Sequence, residues 1–125
     1  MARILVVDDS PTETHLIKTM LVGHGHQVIE AANGEQGVAL ANRELPDIVL
    51  MDIVMPGLNG FQATRQISKN DRTHHIPVVI VTTKNQETDR VWGKRQGARG
   101  YLVKPLHENT LLDTVNTLLS SGQTS

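Results

Sequence analysis

DIVLMDIVMPGLNG, Asp47 to Gly60, decides how the rest of the chain is read. Four consecutive apolar residues, Ile48 to Met51, run straight into Asp52, and a Pro-Gly loop follows within a few positions. A run this short, with no polar residue to face water, suits a strand covered on both faces, as in a parallel sheet. The acid that ends it then stands at the sheet's carboxyl edge.

Four further runs repeat the theme: ILVV (4–7), QVIEA (27–31), PVVIV (77–81) and YLV (101–103). Helix-like stretches separate them. Ser10-Pro11-Thr12-Glu13 offers an N-cap, a proline at the first helical position and a capping-box glutamate. An inward stripe of Leu16, Ile17, Met20 and Leu21 follows, until Gly23 and Gly25 stop the helix. Asn33-Gly34-Glu35-Gln36 opens a second helix carrying Val38 and Leu40, and Leu58–Lys69 forms a third. The fourth, within 85–97, holds Gly93, at a cost of roughly 1 kcal/mol relative to alanine, and is expected to be the most mobile. The fifth repeats its apolar face at Leu111, Leu112, Val115, Leu118 and Leu119 before a frayed tail at 122–125. Five strands alternating with five helices imply right-handed βα crossovers in one domain, residues 1–121. The expected fold is α/β: a doubly wound, flavodoxin-like, five-stranded parallel sheet of order 2-1-3-4-5.

Composition narrows the functional classes. The 125 residues suit one domain, and the formal net charge of -1, with both signs intermixed, argues against nucleic acid or a membrane surface as partner. With no cysteine, disulfides, thiolate catalysis and thiolate metal sites are excluded. The N-terminus lacks the shape of a secretory signal, and no apolar run approaches the roughly 20 residues of a bilayer span. A soluble, cytoplasmic protein is expected.

The strand ends carry the chemistry. ILVV ends in Asp8-Asp9, IVLM in Asp52, VVIV in Thr82-Thr83, and YLV in Lys104-Pro105. A parallel sheet gathers these ends on one edge, where ligands bind beside the point at which strand order reverses. Three carboxylates held there would repel by roughly 4 kcal/mol per pair at about 4 Å and an effective dielectric of about 20. Either their pKa values rise or a cation joins them. Lys104 balances one charge; a hard divalent ion with oxygen ligands, Mg²⁺ most naturally, would balance the rest. Such parts suit phosphoryl transfer, with a carboxylate as nucleophile and Thr82 and Lys104 holding phosphoryl oxygens. Spacing leaves open which aspartate reacts.

In this order and at these spacings, over about residues 3–120, these motifs resemble the receiver domain of response regulators. The resemblance implies that Asp52 is the phosphoacceptor and that Mg²⁺ (or Mn²⁺) is held by Asp9, Asp52 and the backbone carbonyl of Val54, with Asp8 acting through water. It implies that Thr82 and Lys104 bind the phosphoryl group, that Tyr101 is an aromatic switch moving with Thr82, and that the Lys104-Pro105 peptide is often cis. It also implies a histidine kinase of the chemosensory type as donor. An output protein is expected on the face of the fourth helix, fifth strand and fifth helix. A monomer is expected. Within the family, GHGHQVIEA, LMDIVMPGLNGFQATRQ and VWGKRQGARGYLVKP resemble a single-domain regulator of the type IV pilus chemosensory system, which implies control of twitching motility. With no residues left for a DNA-binding or enzymatic output domain, output is expected by contact or by draining phosphate.

Other readings stand beside these. Asp8-Asp9 could cap a helix, Thr82-Thr83 could be N-cap residues, and Lys104 could be a surface lysine. Tyr101 could be a buried edge-strand aromatic, and Trp92 could cover hydrophobic surface or serve as a partner contact. The six histidines show no ligand spacing and read as surface residues, and Gly57 and Gly60 read as turn glycines. A chemotaxis-type regulator of another system is one alternative. An Asp-nucleophile phosphatase is another, opposed by Val54 at the position where dehalogenase-like phosphatases carry a second aspartate. A nucleotide- or flavin-binding module lacks the G-x-G-x-x-G turn after the first strand. Val54 and Lys84 flank the reactive position, so phosphate lifetime is not legible.

Overall fold

A computed structural model describes residues 1–123; Thr124 and Ser125, part of the expected tail, lie outside the described residues. The strands are β1 (Arg3–Val7), β2 (Gln27–Ala31), β3 (Ile48–Met51), β4 (Val78–Thr82) and β5 (Gly100–Val103). The helices are α1 (Pro11–Val22), α2 (Gly34–Glu44), α3 (Gly60–Lys69), α4 (Glu87–Arg95) and α5 (Glu108–Gln123). All strand pairs are parallel, as the alternation of runs implies, and the sheet order is β2-β1-β3-β4-β5, that of the flavodoxin-like type expected above.

The central strands β3 and β4 are buried at every position, whereas the edge strands β2 and β5 are only partly covered. Alternation then sorts their side chains. Ile4, Val6, Ile48, Leu50, Val79 and Val81 point to one face, against Ile17 and Leu21 of α1 and Leu111 and Val115 of α5. Leu5, Val7, Val49, Met51 and Val78 point to the other, against Ala41 of α2 and Ala63 and Ile67 of α3. Each fully buried aliphatic side chain contributes roughly 1.5–3 kcal/mol, so these two layers supply most of the drive to fold.

Several local expectations are corrected. In α1, Thr14, Ile17 and Leu21 form the buried line and Leu16 is exposed, because it lies about 100° around the helix from Ile17. Ser10 caps α1 by accepting the Glu13 N–H at 3.3 Å, but the reciprocal half of the capping box is missing. The Ser10 N–H instead donates to Asp8 Oδ1 at 2.9 Å, an acceptor only two residues upstream. Helix α3 starts at Gly60 and not at Leu58, since Asn59 is its N-cap and forms a complete capping box with Gln62. Helix α5 continues through Gly122 to Gln123, past the expected start of the frayed tail. Extending a nucleated helix adds a hydrogen bond per residue at little cost. His26 is not a free surface residue: it is half-buried and its Nδ1 accepts the Ala2 N–H at 3.1 Å. Burial, then the N-terminal ammonium and His24, hold its pKa below the ordinary value.

Gly93 also needs a different account. It is the one buried residue of α4, and a Cβ there would lie 2.8 Å from Ile80 Cδ1. The glycine lets α4 settle onto β4 and β5, so its low helix propensity accompanies close packing. With so little else buried, α4 remains the least anchored helix. Amide exchange should therefore be faster in Glu87–Arg95 than in the other helices, and equal protection across all five would contradict this. Among the described residues, no helix is long and apolar enough to cross a membrane.

Candidate functional site

The ends of β1, β3, β4 and β5 meet at the carboxyl edge. Backbone hydrogen bonds set the spacing there: Asp8 N–H donates to Ala31 O at 3.1 Å, Asp52 N–H to Val7 O at 2.9 Å, and Lys104 N–H to Thr82 O at 2.8 Å. Asp8, Asp52 and Lys104 thus each sit at the last ladder bond of their strand, and Thr82 is the final residue of β4. Asp8, Asp9 and Asp52 bring carboxylate oxygens within 4.8 Å of one another, as the acid-tipped strands imply. Asp8 and Asp52 are buried, with 5% and 8% of their surface exposed, whereas Asp9 opens to solvent. A cavity of about 230 Å³ reaches Asp8 and Asp9 from the side of Glu30 and Gln36.

Lys104 is the buried counter-charge. Its Nζ donates to Asp8 Oδ2 at 2.7 Å and stands 3.6 Å from Asp52 Oδ2. Asp52 Oδ1 accepts the Ile53 N–H at 2.8 Å. Burial raises the Asp52 pKa, opposed by the Lys104 ammonium and reinforced by the Asp8 carboxylate. The Ile53 N–H and the Thr82 hydroxyl favour its charged form but do not cancel the rise. Desolvation pulls Lys104 down, but its hydrogen bond to Asp8 and the fields of Asp52 and Asp8 outweigh it, so the ammonium is held above its usual range. Three acids facing one ammonium leave formal negative charge for a cation to neutralise. The donor set is all hard oxygen, with no histidine or cysteine, which fits Mg²⁺ or Mn²⁺ better than Zn²⁺.

The remaining expected residues surround this cluster. Thr82 is fully buried at the end of β4, and its Oγ1 accepts the Lys84 N–H at 3.4 Å. Tyr101, on β5, is partly buried and donates its hydroxyl hydrogen to Lys84 O at 2.8 Å. The Arg90 guanidinium lies 5.0 Å from the centre of the Tyr101 ring. Val54 sits in the loop after β3 with 57% of its surface exposed. The Lys104-Pro105 peptide is cis. Trp92 is exposed on α4, with 48% of its surface open, beside exposed Val91.

Two features escape the sequence reading. Gly60 is more than a turn residue: a Cβ there would collide with the Asp52 carbonyl oxygen, so only glycine lets α3 begin against the β3 tip. Glu35, given no role by its position in the sequence, accepts the Leu58 N–H through Oε1 at 3.0 Å. Nothing local signals either.

The family model described as the response regulator receiver domain matches residues 4–116. The chain belongs to the response-regulator receiver family. Receivers signal through a phosphorylated aspartate. This receiver is 68% identical to Protein PilH of Pseudomonas aeruginosa, over 96% of its own length and 99% of that protein's. It superposes on the chemotaxis protein CheY4 of Vibrio cholerae with a TM-score of 0.89 at 31% identity, covering 94% of this chain and 98% of that one. It matches equally the receiver domain of the Pseudomonas aeruginosa sensor histidine kinase PA1611, with a TM-score of 0.89 and 31% identity over 95% and 98% of the two chains. The PA1611 receiver holds a magnesium ion in its active-site cleft.

Proposed function

We propose that this receiver is a single-domain regulator that accepts a phosphoryl group on Asp52 from a chemosensory-type histidine kinase. It would act as a cytoplasmic monomer in type IV pilus control and have no enzymatic output beyond its own phosphorylation and dephosphorylation. The observation that carries this reading is the meeting of Asp8, Asp9 and Asp52 within 4.8 Å, with Lys104 bonded to one of them. The pilus setting draws support from the sequence stretches noted above and from the 68% identity to PilH.

In this mechanism an Asp52 carboxylate oxygen attacks phosphorus as the donor's N–P bond breaks, giving an acyl phosphate and a free imidazole. Lys104 Nζ, already directed at Asp8 and Asp52, and the Thr82 hydroxyl would hold the transferred oxygens. Asp9, Asp52 and the Val54 carbonyl would hold Mg²⁺ (or Mn²⁺), with Asp8 acting through water; the ion supplies charge neutralisation to the phosphoryl oxygens. A shift of Thr82 toward the new phosphate would pull on the segment to Lys84, whose carbonyl tethers Tyr101. That would alter the face of α4, β5 and α5, either to change partner affinity or to leave the protein as a phosphate sink.

The test is divalent-ion binding coupled to labelling. The wild type should take one acid-labile phosphate from a small acyl phosphate only when Mg²⁺ is present. Asp9→Ala should weaken Mg²⁺ binding in calorimetry by more than the roughly tenfold that loss of an outer-shell partner costs. Unchanged affinity would remove Asp9 from the site.

A further inference from the structure

The loop after Asp52 is fastened by a group outside the acidic cluster. Glu35, in the first turn of α2, is exposed, yet its Oε1 reaches across 23 residues of sequence to accept the Leu58 N–H at 3.0 Å. Both backbones are shaped for this contact. A Cβ on Gly34 would collide with the Leu58 carbonyl oxygen. Gly57, at φ 76, lies so close that a Cβ there would stand 2.9 Å from Glu35 Oε1. At the far end of the loop, the Gly60 N–H donates to Ile53 O at 3.0 Å. The segment from Ile53 to Leu58 is therefore pinned to α2 on one side and to its own base on the other, with Val54 between the two fastenings.

We propose that Glu35 is a positioning residue for the metal site, its carboxylate holding the β3–α3 loop so that the Val54 backbone is ready for the ion. This rests on the reading of Val54 as a ligand given above. Once the acceptor is lost, the Leu58 N–H turns to water and the loop samples several conformations. Only a fraction of molecules would then be competent, and the apparent metal affinity would fall by that fraction. Groups that orient ligands without touching the metal usually change affinity by about 10- to 100-fold, and an exposed hydrogen bond belongs at the low end.

The test titrates MgCl₂ into the wild type, Glu35→Ala and Glu35→Gln by calorimetry at one ionic strength, alongside metal-free thermal melts and exchange of the Leu58 amide. Glutamine keeps a carbonyl acceptor but removes the charge. Glu35→Ala should bind Mg²⁺ about tenfold more weakly and lose Leu58 protection, while Glu35→Gln stays within about twofold of wild type. Wild-type affinity in Glu35→Ala, with or without a lower melting temperature, would overturn the proposal. So would an equal loss in Glu35→Gln, which would mark simple charge attraction. A wild type that takes up no Mg²⁺ would sink the metal reading together with the clamp, whereas Glu35→Ala matching a binding-competent wild type would sink the clamp alone.

Discussion

Asp52→Asn should take no phosphate above background from an acyl phosphate or a kinase, yet fold into a protein more stable than the wild type. The first outcome follows from the amide, a poor nucleophile that cannot form the acyl phosphate. The second follows from electrostatics. Burial, and then the Asp8 charge, raise the Asp52 pKa in the folded state against the pull of Lys104. The folded protein therefore binds more protons than the unfolded chain between the ordinary carboxylate pKa and the raised one. Stability contributed by this group is present below the unfolded value and lost as pH rises through the folded one. At neutral pH the ionised carboxylate thus destabilises the metal-free protein, and asparagine removes that cost. Denaturation of both proteins without metal at pH 7 and at mildly acidic pH checks the sign: the wild type should gain more on acidification. The same substitution on the chromosome should alter twitching spread. Unaltered spread would leave the receiver in place and remove its pilus role, while label persisting on the mutant would reject Asp52 itself.

The second large effect is expected from Lys104→Ala. The ammonium is buried, with 7% of its side chain exposed, and it serves two acids at 2.7 and 3.6 Å. Removing one partner of a buried ion pair typically costs about 3–5 kcal/mol because the other charge is stranded. Asp9 and the adjoining cavity admit water, so roughly 3 kcal/mol in urea denaturation is the expectation here. Phosphorylation should also slow by roughly a hundredfold, the usual price of losing a fixed donor to transferred oxygens. Combining Lys104→Ala with Asp52→Asn should cost less than the sum of the two single effects, since the asparagine then also removes a charge that the lysine change has stranded. Strictly additive effects, or a loss under about 1 kcal/mol for Lys104→Ala alone, would mean the lysine is not the counter-charge.

What the sequence disclosed depended on how local the cause was. Ile48–Met51 and Val78–Val81 are unbroken apolar runs, so their place as central strands, and with it Asp52 and Thr82 at one edge, could be read directly. Alternation along β1 placed Ile4 and Leu5 on opposite faces, but which side of α1 meets that layer was settled by packing, leaving Leu16 outside. The Ser10 N–H had two acidic neighbours to choose from, and it donates to Asp8, not to Glu13. Gly34, Gly60 and Gly93 owe their identity to a backbone or side chain distant in sequence, which no local pattern encodes. Glu35 is of the same kind: its partner exists only after two crossovers have closed.

The bond from Lys104 to Asp8 joins positions 96 residues apart. A nascent chain that has emerged as far as β4 already exposes its acids, but the cation that tames them is still inside the ribosome. The charge balance of this edge is therefore completed only when the last strand has been made.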